Sequence, residues 1–285
     1  MELSGINRTD LPSRALVGNA GQVFALFDHQ TQDSGNVSYG VDTDAGRFFV
    51  KTAGSGTETA FLSHEERIAL LRNVVRLYRT ASHPLLPRLH NVIECQDGPA
   101  LVFDWIDAEL IGAPRTMRSD PASAFRRFRR LPVSAILGAL DAIVDLHRHL
   151  AAAGWIAVDF YDGALLYNFS TGVLHVIDLD SYHPGPFVNR MGRMFGSTRF
   201  MAPEEFELGA AIDQRTNVFM LGRTVRELPS DHPAERLSDE LRNVSHRACL
   251  PNPSDRYPTV AEFHAAWTAA RRGQREGGSG IDATG

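Results

Sequence analysis

Alternating hydrophobic and polar positions in the first third of the chain predict a series of short β-strands. The strand-like runs are residues 23–27, 37–41, 47–52, 90–94 and 100–105. Polar and glycine-containing turns separate them, as is usual between the strands of an antiparallel sheet. Residues 42–46, Asp-Thr-Asp-Ala-Gly, predict a hairpin connection that pairs the second and third runs antiparallel.

One helical pattern interrupts these strands between residues 63 and 80. Its apolar positions recur every three or four residues and form one stripe, which consists of Ile68, Leu71, Val75 and Tyr78. Ser63, followed three residues later by Glu66, has the pattern of a capping box, which predicts the start of the helix. His83-Pro84 ends the pattern, because proline cannot continue a helix.

Helical patterns predominate in the second half of the chain. Residues 133–153 predict a long helix closed by Gly154, and strand-like runs follow at 165–167 and 173–178. This order predicts an α+β fold with two lobes and a cleft between them. The small lobe has an antiparallel sheet and one main helix, and the large lobe is mostly helical. The predicted segments are an extended lead-in (1–20), the small lobe (21–107), the large lobe (108–272) and a disordered tail (273–285).

The composition argues against several classes of function. The chain has 285 residues, 43% of them hydrophobic, and can bury a large core. Its net charge of -5 argues against nucleic-acid binding, which requires positive charge. No apolar run approaches the roughly 20 residues of a membrane-spanning helix, so we expect no membrane partner. The only cysteines, Cys95 and Cys249, lack metal-binding spacing and predict free thiols in a reducing cytoplasm.

Lys51 is the only lysine among 29 basic residues, and all the others are arginine. Such a bias is typical of GC-rich genomes, as in many actinobacteria. A lysine is a compact point charge that can enter a site where a planar guanidinium does not fit. Lys51 also ends a strand-like run, Phe-Phe-Val-Lys, which favours a functional role over the chance survival of a surface lysine.

Three motifs resemble active-site motifs of protein kinases. Residues 48–51, Phe-Phe-Val-Lys, are similar to the V-A-I-K strand of that family. Residues 154–159, Gly-Trp-Ile-Ala-Val-Asp, are similar to the approach to its catalytic loop. Residues 176–180, Val-Ile-Asp-Leu-Asp, follow at the position of its D-F-G motif.

The large lobe carries the most specific part of this resemblance. Residues 196–204, Gly-Ser-Thr-Arg-Phe-Met-Ala-Pro-Glu, read as G-T-x-x-Y-M-A-P-E with conservative exchanges. Residues 217–222 and 249–258 resemble the D-V-Y-S-L-G helix and the late C-L-x-x-D-P-x-x-R-P segment of the same family. The resemblance covers about residues 20–270, and it implies a buried ion pair between Glu204 and Arg256.

The resemblance to serine/threonine protein kinases implies an ATP-dependent enzyme with ATP and Mg²⁺ as cofactors. It implies that Lys51 neutralises the nucleotide phosphates, that Asp178 holds Mg²⁺ and that Asp159 accepts the proton of the acceptor hydroxyl. It further implies nucleotide contacts from Asp104 and Ile106, where the last strand-like run meets the connector between the lobes.

A glycine loop over the phosphates can be aligned in two registers. Residues 18–23 look more like the family pattern, but they lie too far from Lys51 to form one hairpin with it. Residues 33–37 lie fourteen residues before Lys51, which fits two strands and a turn. We therefore expect Ser34, Gly35 and Asn36 to offer backbone N–H groups to phosphate.

Several positions depart from the family pattern. The catalytic-loop lysine is replaced by Tyr161, and the metal-binding asparagine by Ala164. Asp180 stands in place of the D-F-G glycine. We expect Asp180, in an extended stretch with Asp178, to supply the missing metal oxygen, with Asp162 as second choice.

Two further expectations concern charged residues outside these motifs. The glutamate that braces the lysine in the family is missing at its usual place, and Glu66 is the candidate to replace it. Residues 126–130, Arg-Arg-Phe-Arg-Arg, are a basic cluster that predicts a solvated face or a docking site for an acidic substrate.

Three functions remain open on the sequence. The first is a kinase acting on Ser/Thr hydroxyls of a protein or peptide. The second is a pseudokinase that binds partners without phosphoryl transfer, which Ala164 favours. The third is a small-molecule kinase acting on an antibiotic or metabolite, which Asp180 and the sparse glycine loop favour.

Overall fold

The computed structural model of the protein describes residues 2–28, 35–55, 61–231 and 237–278. The backbone divides into two compact units, Met1–Asp107 and Ala108–Gly285. The first is built on an antiparallel sheet and the second mainly on helices, so the chain is a mixed α+β protein.

A five-stranded sheet forms the centre of the first unit. Its strands are β1 (Gln22–Phe27), β2 (Val37–Thr43), β3 (Gly46–Thr52), β4 (Leu89–Cys95) and β5 (Gly98–Asp104). Neighbouring strands are antiparallel in the order β1-β2-β3-β5-β4. β2 and β3 form the expected hairpin, in which Thr43 lies opposite Gly46.

Two helices, α1 (Ser13–Ala20) and α2 (His64–Thr80), cover opposite faces of this sheet. Leu16 of α1 packs in a cluster with Val50 of β3, whereas Leu71 of α2 packs in a separate cluster with Phe103 of β5. Because side chains alternate along a strand, Lys51 points to the α2 face.

The extended lead-in expected over residues 1–20 is wrong for residues 13–20, which form helix α1. Leu16 and Val17 are fully buried, and Leu3 joins the same cluster. Ser13 fixes the start of the helix, because both its backbone N and its hydroxyl donate to the carboxylate of Asp97, at 2.7 and 2.9 Å. Two adjacent apolar residues are too few to show helical periodicity, so the sequence pattern missed this element.

The second unit contains five helices and seven short strands in its described part. The helices are α3 (Ala124–Arg129), α4 (Val133–Ala152), α5 (Gln214–Glu227), α6 (Asp239–Ala248) and α7 (Val260–Gly278). The strands are β6 (Glu109–Leu110), β7 (Trp155–Ile156), β8 (Leu165–Asn168), β9 (Val173–Val176), β10 (His183–Pro184), β11 (Phe187–Val188) and β12 (Ala211–Ile212). No helix among the described residues is long and apolar enough to span a bilayer.

Helix α7 continues through Gly278, so the expected disordered tail over residues 273–285 is wrong for residues 273–278. The helix is anchored by Trp267 and Arg271, which both donate to the carboxylate of Asp141 on α4, at 2.8 to 3.0 Å. Residues 279–285 lie outside the described part of the chain.

Candidate active site

Two short ladders in the second unit position the aspartates that the motifs single out. β7 pairs with β10, and β8 pairs with β9, both antiparallel. Asp159 lies three residues after β7, and Asp178 lies two residues after β9. Ile177 N donates to Ala164 O at 2.9 Å, which extends the second ladder into the loop that begins at Asp159. The pairing therefore brings the loops that carry both aspartates together.

Asp159 and Asp178 both have a left-handed backbone conformation, with φ of 60° and 62°. Within the described residues, they are the two non-glycine positions with positive φ. This conformation costs roughly 1–3 kcal/mol and persists only where the surroundings impose it. Beside Asp159, the Asn217 side chain donates to Ala157 O at 2.7 Å and accepts from Ala157 N at 2.9 Å. Strain concentrated at the two aspartates is typical of a functional site.

The carboxylates of this site influence one another. Asp159 is half-buried, and its pKa is raised to about 7. Desolvation is the largest cause, followed by the negative charges of Asp178 and Asp180, whereas Arg193 lowers the pKa. A set of mutually repelling carboxylates offers the hard oxygen donors that suit Mg²⁺, and a divalent cation would relieve the repulsion. The residues of this site therefore fit the metal.

The expected geometry of Asp180 requires a correction. With φ of 62° at Asp178, residues 178–180 are not an extended stretch, so alternation does not put both side chains on one side. Asp178 is exposed, whereas Asp180 is buried. Both charges nevertheless raise the pKa of Asp159, which indicates that Asp180 lies close to it.

Asp162 is not available as a metal ligand. Its side chain is 1% exposed, and each oxygen accepts from an arginine: Oδ2 from Arg129 at 2.8 Å and Oδ1 from Arg199 at 2.6 Å. A metal would have to displace a buried guanidinium, which costs several kcal/mol. The expectation for Asp162 is therefore wrong, and the residue instead ties α3 to the segment around Arg199.

The basic cluster on α3 is also used internally. Arg126 binds the carboxylate of Asp231 with bonds of 2.7 and 2.9 Å, and Arg127 binds Glu109 at 2.8 Å. Arg129 is the buried partner of Asp162. Three of the four arginines are thus paired with acids of the same unit. Arg127 and Arg130 still reach solvent, as expected of a solvated face, and docking of an acidic substrate remains a prediction.

Sequence reasoning missed Glu205, which lies beside the loop that begins at Asp159. Its side chain is 5% exposed, and Oε2 accepts from Ala202 N at 2.6 Å. Burial raises its pKa to about 7, the hydrogen bond from Ala202 opposes this, and Glu204 and Asp159 raise it further. Asp159 and Glu205 line a common cavity of about 10 Å³, which is close to the space of one water molecule. The motif pairs Glu204 with arginine and carries no signal for its neighbour.

Tyr182 is a second residue that the motifs did not indicate. His147 Nδ1 donates to Ile143 O at 2.8 Å, so its Nε2 accepts from the Tyr182 hydroxyl at 3.0 Å. Burial is the main cause of the raised pKa of Tyr182, and the charges of Asp159 and Asp178 add to it. The neutral hydroxyl therefore anchors the segment that follows Asp180.

The residues expected to bind phosphate lie in the first unit. Lys51 is 9% exposed, so the only lysine is not a surface residue. Gly35 has φ of 77°, a conformation that favours glycine, and its carbonyl accepts from the buried Arg67 of α2. Asn36 is buried, and Ser34 lies outside the described residues. Arg67, which the sequence did not single out, thus fixes the end of the predicted phosphate loop.

Glu66 has a different role from the one expected. Its carboxylate accepts from Ser63 N at 2.7 Å, and Ser63 Oγ accepts from Glu66 N at 3.3 Å, which completes the capping box of α2. These hydrogen bonds with Ser63 lower the pKa of the Glu66 carboxyl. Because the side chain is exposed and bonded to its own helix start, the structure does not bring it to the buried Lys51.

Asp104 and Ile106 lie at the end of the first unit, after the last strand of the sheet. Asp104 is the final residue of β5, and its carboxylate is paired with His90 on β4. Its backbone N donates to Arg88 O at 3.1 Å. Asp104 is thus held by His90 and Arg88, and the contacts of Asp104 and Ile106 with a nucleotide remain a prediction.

Comparison with known proteins supports a kinase-like class. The mixed α+β architecture with its five-stranded antiparallel sheet is compatible with a protein-kinase-like fold. Over 263 residues, the chain is 24% identical to a curated serine/threonine-protein kinase. This similarity is distant, and no protein-family model matches the chain.

The relative is serine/threonine-protein kinase PknG of Mycobacterium leprae (strain TN). The similarity covers 87% of this chain but 31% of PknG, so the chain spans about a third of the length of the relative it matches. The expectation of a serine/threonine-kinase-like chain is therefore supported at the level of distant homology.

Proposed function

We propose that the chain is an ATP-dependent phosphotransferase of the protein-kinase fold that acts on Ser/Thr hydroxyls of a protein or peptide. The observation that carries this proposal is the cluster of Asp159, Asp178 and Asp180. Two of its members have strained backbones and all three are electrostatically coupled. Structural ion pairs do not need such strain, whereas a site that must hold charged ligands uses it.

The proposed reaction assigns a proton acceptor to this cluster. The acceptor hydroxyl oxygen forms a bond to the γ-phosphorus while the bond to the β–γ bridging oxygen breaks and ADP leaves with that electron pair. Asp159 takes the hydroxyl proton, and a pKa of about 7 suits a general base at neutral pH. Burial of its carboxyl favours the protonated product of this step.

The remaining proposed roles concern the nucleotide and the metal. Asp178 and Asp180 would hold Mg²⁺, which supplies positive charge against the phosphate oxygens when bound. Lys51 would neutralise the phosphates as a buried point charge. Backbone N–H groups of residues 34–36 would contact phosphate, and Asp104 and Ile106 would contact the rest of the nucleotide.

A pseudokinase is the second candidate function. Ala164, at the position of the metal-binding asparagine, has no side-chain oxygen, and the nearby Asp162 is committed to two arginines. If Asp180 does not supply the missing oxygen, the chain binds a partner or a nucleotide without phosphoryl transfer. A small-molecule acceptor is the third outcome that the experiment must distinguish.

Two measurements test the proposal. Thermal unfolding with ATP, with and without Mg²⁺, detects nucleotide binding. Transfer from [γ-³²P]ATP is then measured to the chain itself, to generic proteins such as casein and to a panel of aminoglycosides and sugars. Asp178→Asn should abolish transfer, whereas Asp255→Asn, an exposed aspartate, should not change it.

Each outcome has a distinct meaning. Binding of Mg·ATP without transfer by the wild type supports the pseudokinase. Transfer to small molecules alone supports the third function. A wild type that binds no Mg·ATP contradicts the proposed enzyme.

A further inference from the structure

A short chain of contacts connects Arg193 to Asp159, the proposed general base. Its guanidinium donates to Gly196 O and to Met194 O, both at 3.2 Å. Gly196 has φ of 134°, and a Cβ built on it would lie 3.6 Å from Asp159 Oδ1. The arginine is therefore anchored to the residue that packs directly against the Asp159 carboxylate.

Among the described residues, no acid forms an ion pair with Arg193 at contact distance. Other arginines of the second unit, such as Arg129 and Arg256, form buried ion pairs. Arg193 is exposed and bonds to carbonyl oxygens. A guanidinium has five N–H donors, so these two bonds leave donors directed elsewhere.

The segment that carries Arg193 is held in place. Met194 N donates to Glu205 O at 2.8 Å, and Asn189 Nδ2 donates to Gly192 O at 2.6 Å. The guanidinium also lies over the ring of Phe206, 6.0 Å from its centroid. Both chain neighbours of Arg193 are thus hydrogen-bonded, which reduces the entropy lost when its side chain contacts a ligand.

The loop after Asp159 does not supply a cation of its own. Tyr161 stands where the resemblance expects a lysine, and its ring folds over Gly163. A Cβ on Gly163 would lie 2.2 Å from Tyr161 Cε2, so the tyrosine conformation depends on this glycine. Phosphoryl transfer spreads negative charge over the oxygens of the transferred group, and a positioned cation stabilises that charge.

We propose that Arg193 is a further catalytic residue, whose guanidinium contacts the transferred phosphoryl group and supplies the cation that Tyr161 does not. This inference rests on the proposed phosphotransferase function. While the acceptor oxygen binds the γ-phosphorus and ADP leaves, the N–H groups of Arg193 donate to the phosphoryl oxygens. Arg193 takes no proton, since the hydroxyl proton goes to Asp159.

The effect of Arg193 on the pKa of Asp159 agrees with this position. Arg193 lowers the pKa of Asp159, whereas burial and the two neighbouring aspartates raise it. The arginine is thus close enough to act on the charge of the proposed base.

The test compares Arg193→Gln and Arg193→Lys with Arg190→Gln, a neighbouring exposed arginine outside the site. Transfer from [γ-³²P]ATP to casein gives kcat and the KM values for ATP and casein. Transfer to water gives kcat and the KM for ATP. Arg193→Gln should lower kcat about 100-fold, as loss of one charge-stabilising donor does, with KM changed less than threefold. Arg193→Lys should retain at least a tenth of wild-type kcat, and Arg190→Gln should match the wild type.

Chemical rescue gives an independent measurement. Millimolar guanidinium chloride should raise the kcat of Arg193→Ala at least tenfold. It should have no such effect on the wild type. A rise in KM for casein with unchanged kcat would mean that Arg193 binds an acidic acceptor, and it would overturn the inference. Equal kcat in Arg193→Gln and Arg190→Gln would also overturn it, while leaving the phosphotransferase intact. A wild type that transfers no phosphate under any condition overturns both.

Discussion

Arg256 and Glu204 form a buried bidentate ion pair in the second unit. Nη1 lies 2.7 Å from Oε1, and Nη2 lies 2.9 Å from Oε2. Thr216 Oγ1 also donates to Oε1 at 2.8 Å, so the carboxylate accepts three hydrogen bonds. This pair was implied by the resemblance of residues 196–204 and 249–258, and the structure confirms it.

Breaking this pair should destabilise the protein strongly. Arg256→Met leaves the Glu204 carboxylate buried without its cation, which should lower the free energy of unfolding by about 3–5 kcal/mol. Urea denaturation measures the loss. The control is Arg242→Ala, which removes an exposed pair with Asp239 and should cost less than about 1 kcal/mol. Equal, small losses in both variants would contradict the structural role of the buried pair.

Local patterns predicted much of the fold, because strands and helices depend on short-range periodicity. The capping box at Ser63 and the hairpin ending at Gly46 are examples of signals contained in a few residues. The identity of Asp162 as an ion-pair centre was not predictable. Its partners, Arg129 and Arg199, are 33 and 37 positions away, and only tertiary packing brings them together.

Asp162→Asn tests the structural interpretation of that residue. An asparagine cannot neutralise the two arginines, so the free energy of unfolding should fall by about 3–5 kcal/mol. The Mg²⁺ concentration that gives half-maximal ATP transfer should remain within twofold of the wild-type value at a temperature where the variant is folded. A rise of at least about tenfold in that concentration would restore Asp162 as a metal ligand.

Lys51→Arg tests the proposed phosphate site. The larger planar guanidinium does not fit a buried point-charge position, so phosphoryl transfer should fall about 100-fold or more. Circular dichroism should show an unchanged fold, and Lys51→Met should lose activity to a similar extent. Full activity in both Lys51→Arg and Asp178→Asn would mean that these residues do not form the nucleotide and metal site.

Glu205 predicts a specific pH dependence of stability. Its pKa is raised from 4.5 to about 7, so the folded state favours the protonated carboxyl. The contribution to stability is complete below about pH 4.5 and is lost as pH rises to about 7. At about 1.4 kcal/mol per pKa unit, the loss is up to about 3 kcal/mol.

Glu205→Gln should remove this loss, because the amide stays neutral and can still accept from Ala202 N. Urea denaturation at pH 5 and pH 8 should show a smaller decrease in stability than in the wild type. Glu240→Gln, at an exposed glutamate on α6, should keep the wild-type decrease. An identical decrease in the wild type and Glu205→Gln would show that Glu205 does not titrate in this range.

The last prediction concerns Asp180, which stands where the kinase motif has glycine. The Ala164 side chain has no oxygen, and Asp162 is bound by two arginines. Asp180, which like Asp178 raises the pKa of Asp159, is therefore the candidate for the second metal ligand. If it completes the metal site, Asp180→Gly should raise the Mg²⁺ requirement at least tenfold and lower transfer to a similar extent. Asp180→Asn, which keeps one neutral oxygen, should have an intermediate effect. The measurement is a Mg²⁺ titration of [γ-³²P]ATP transfer, with Asp178→Asn as the inactive reference. If Asp180→Gly keeps wild-type activity and Mg²⁺ dependence while Asp178→Asn is inactive, Asp180 is a buried structural acid and the metal site is completed without it.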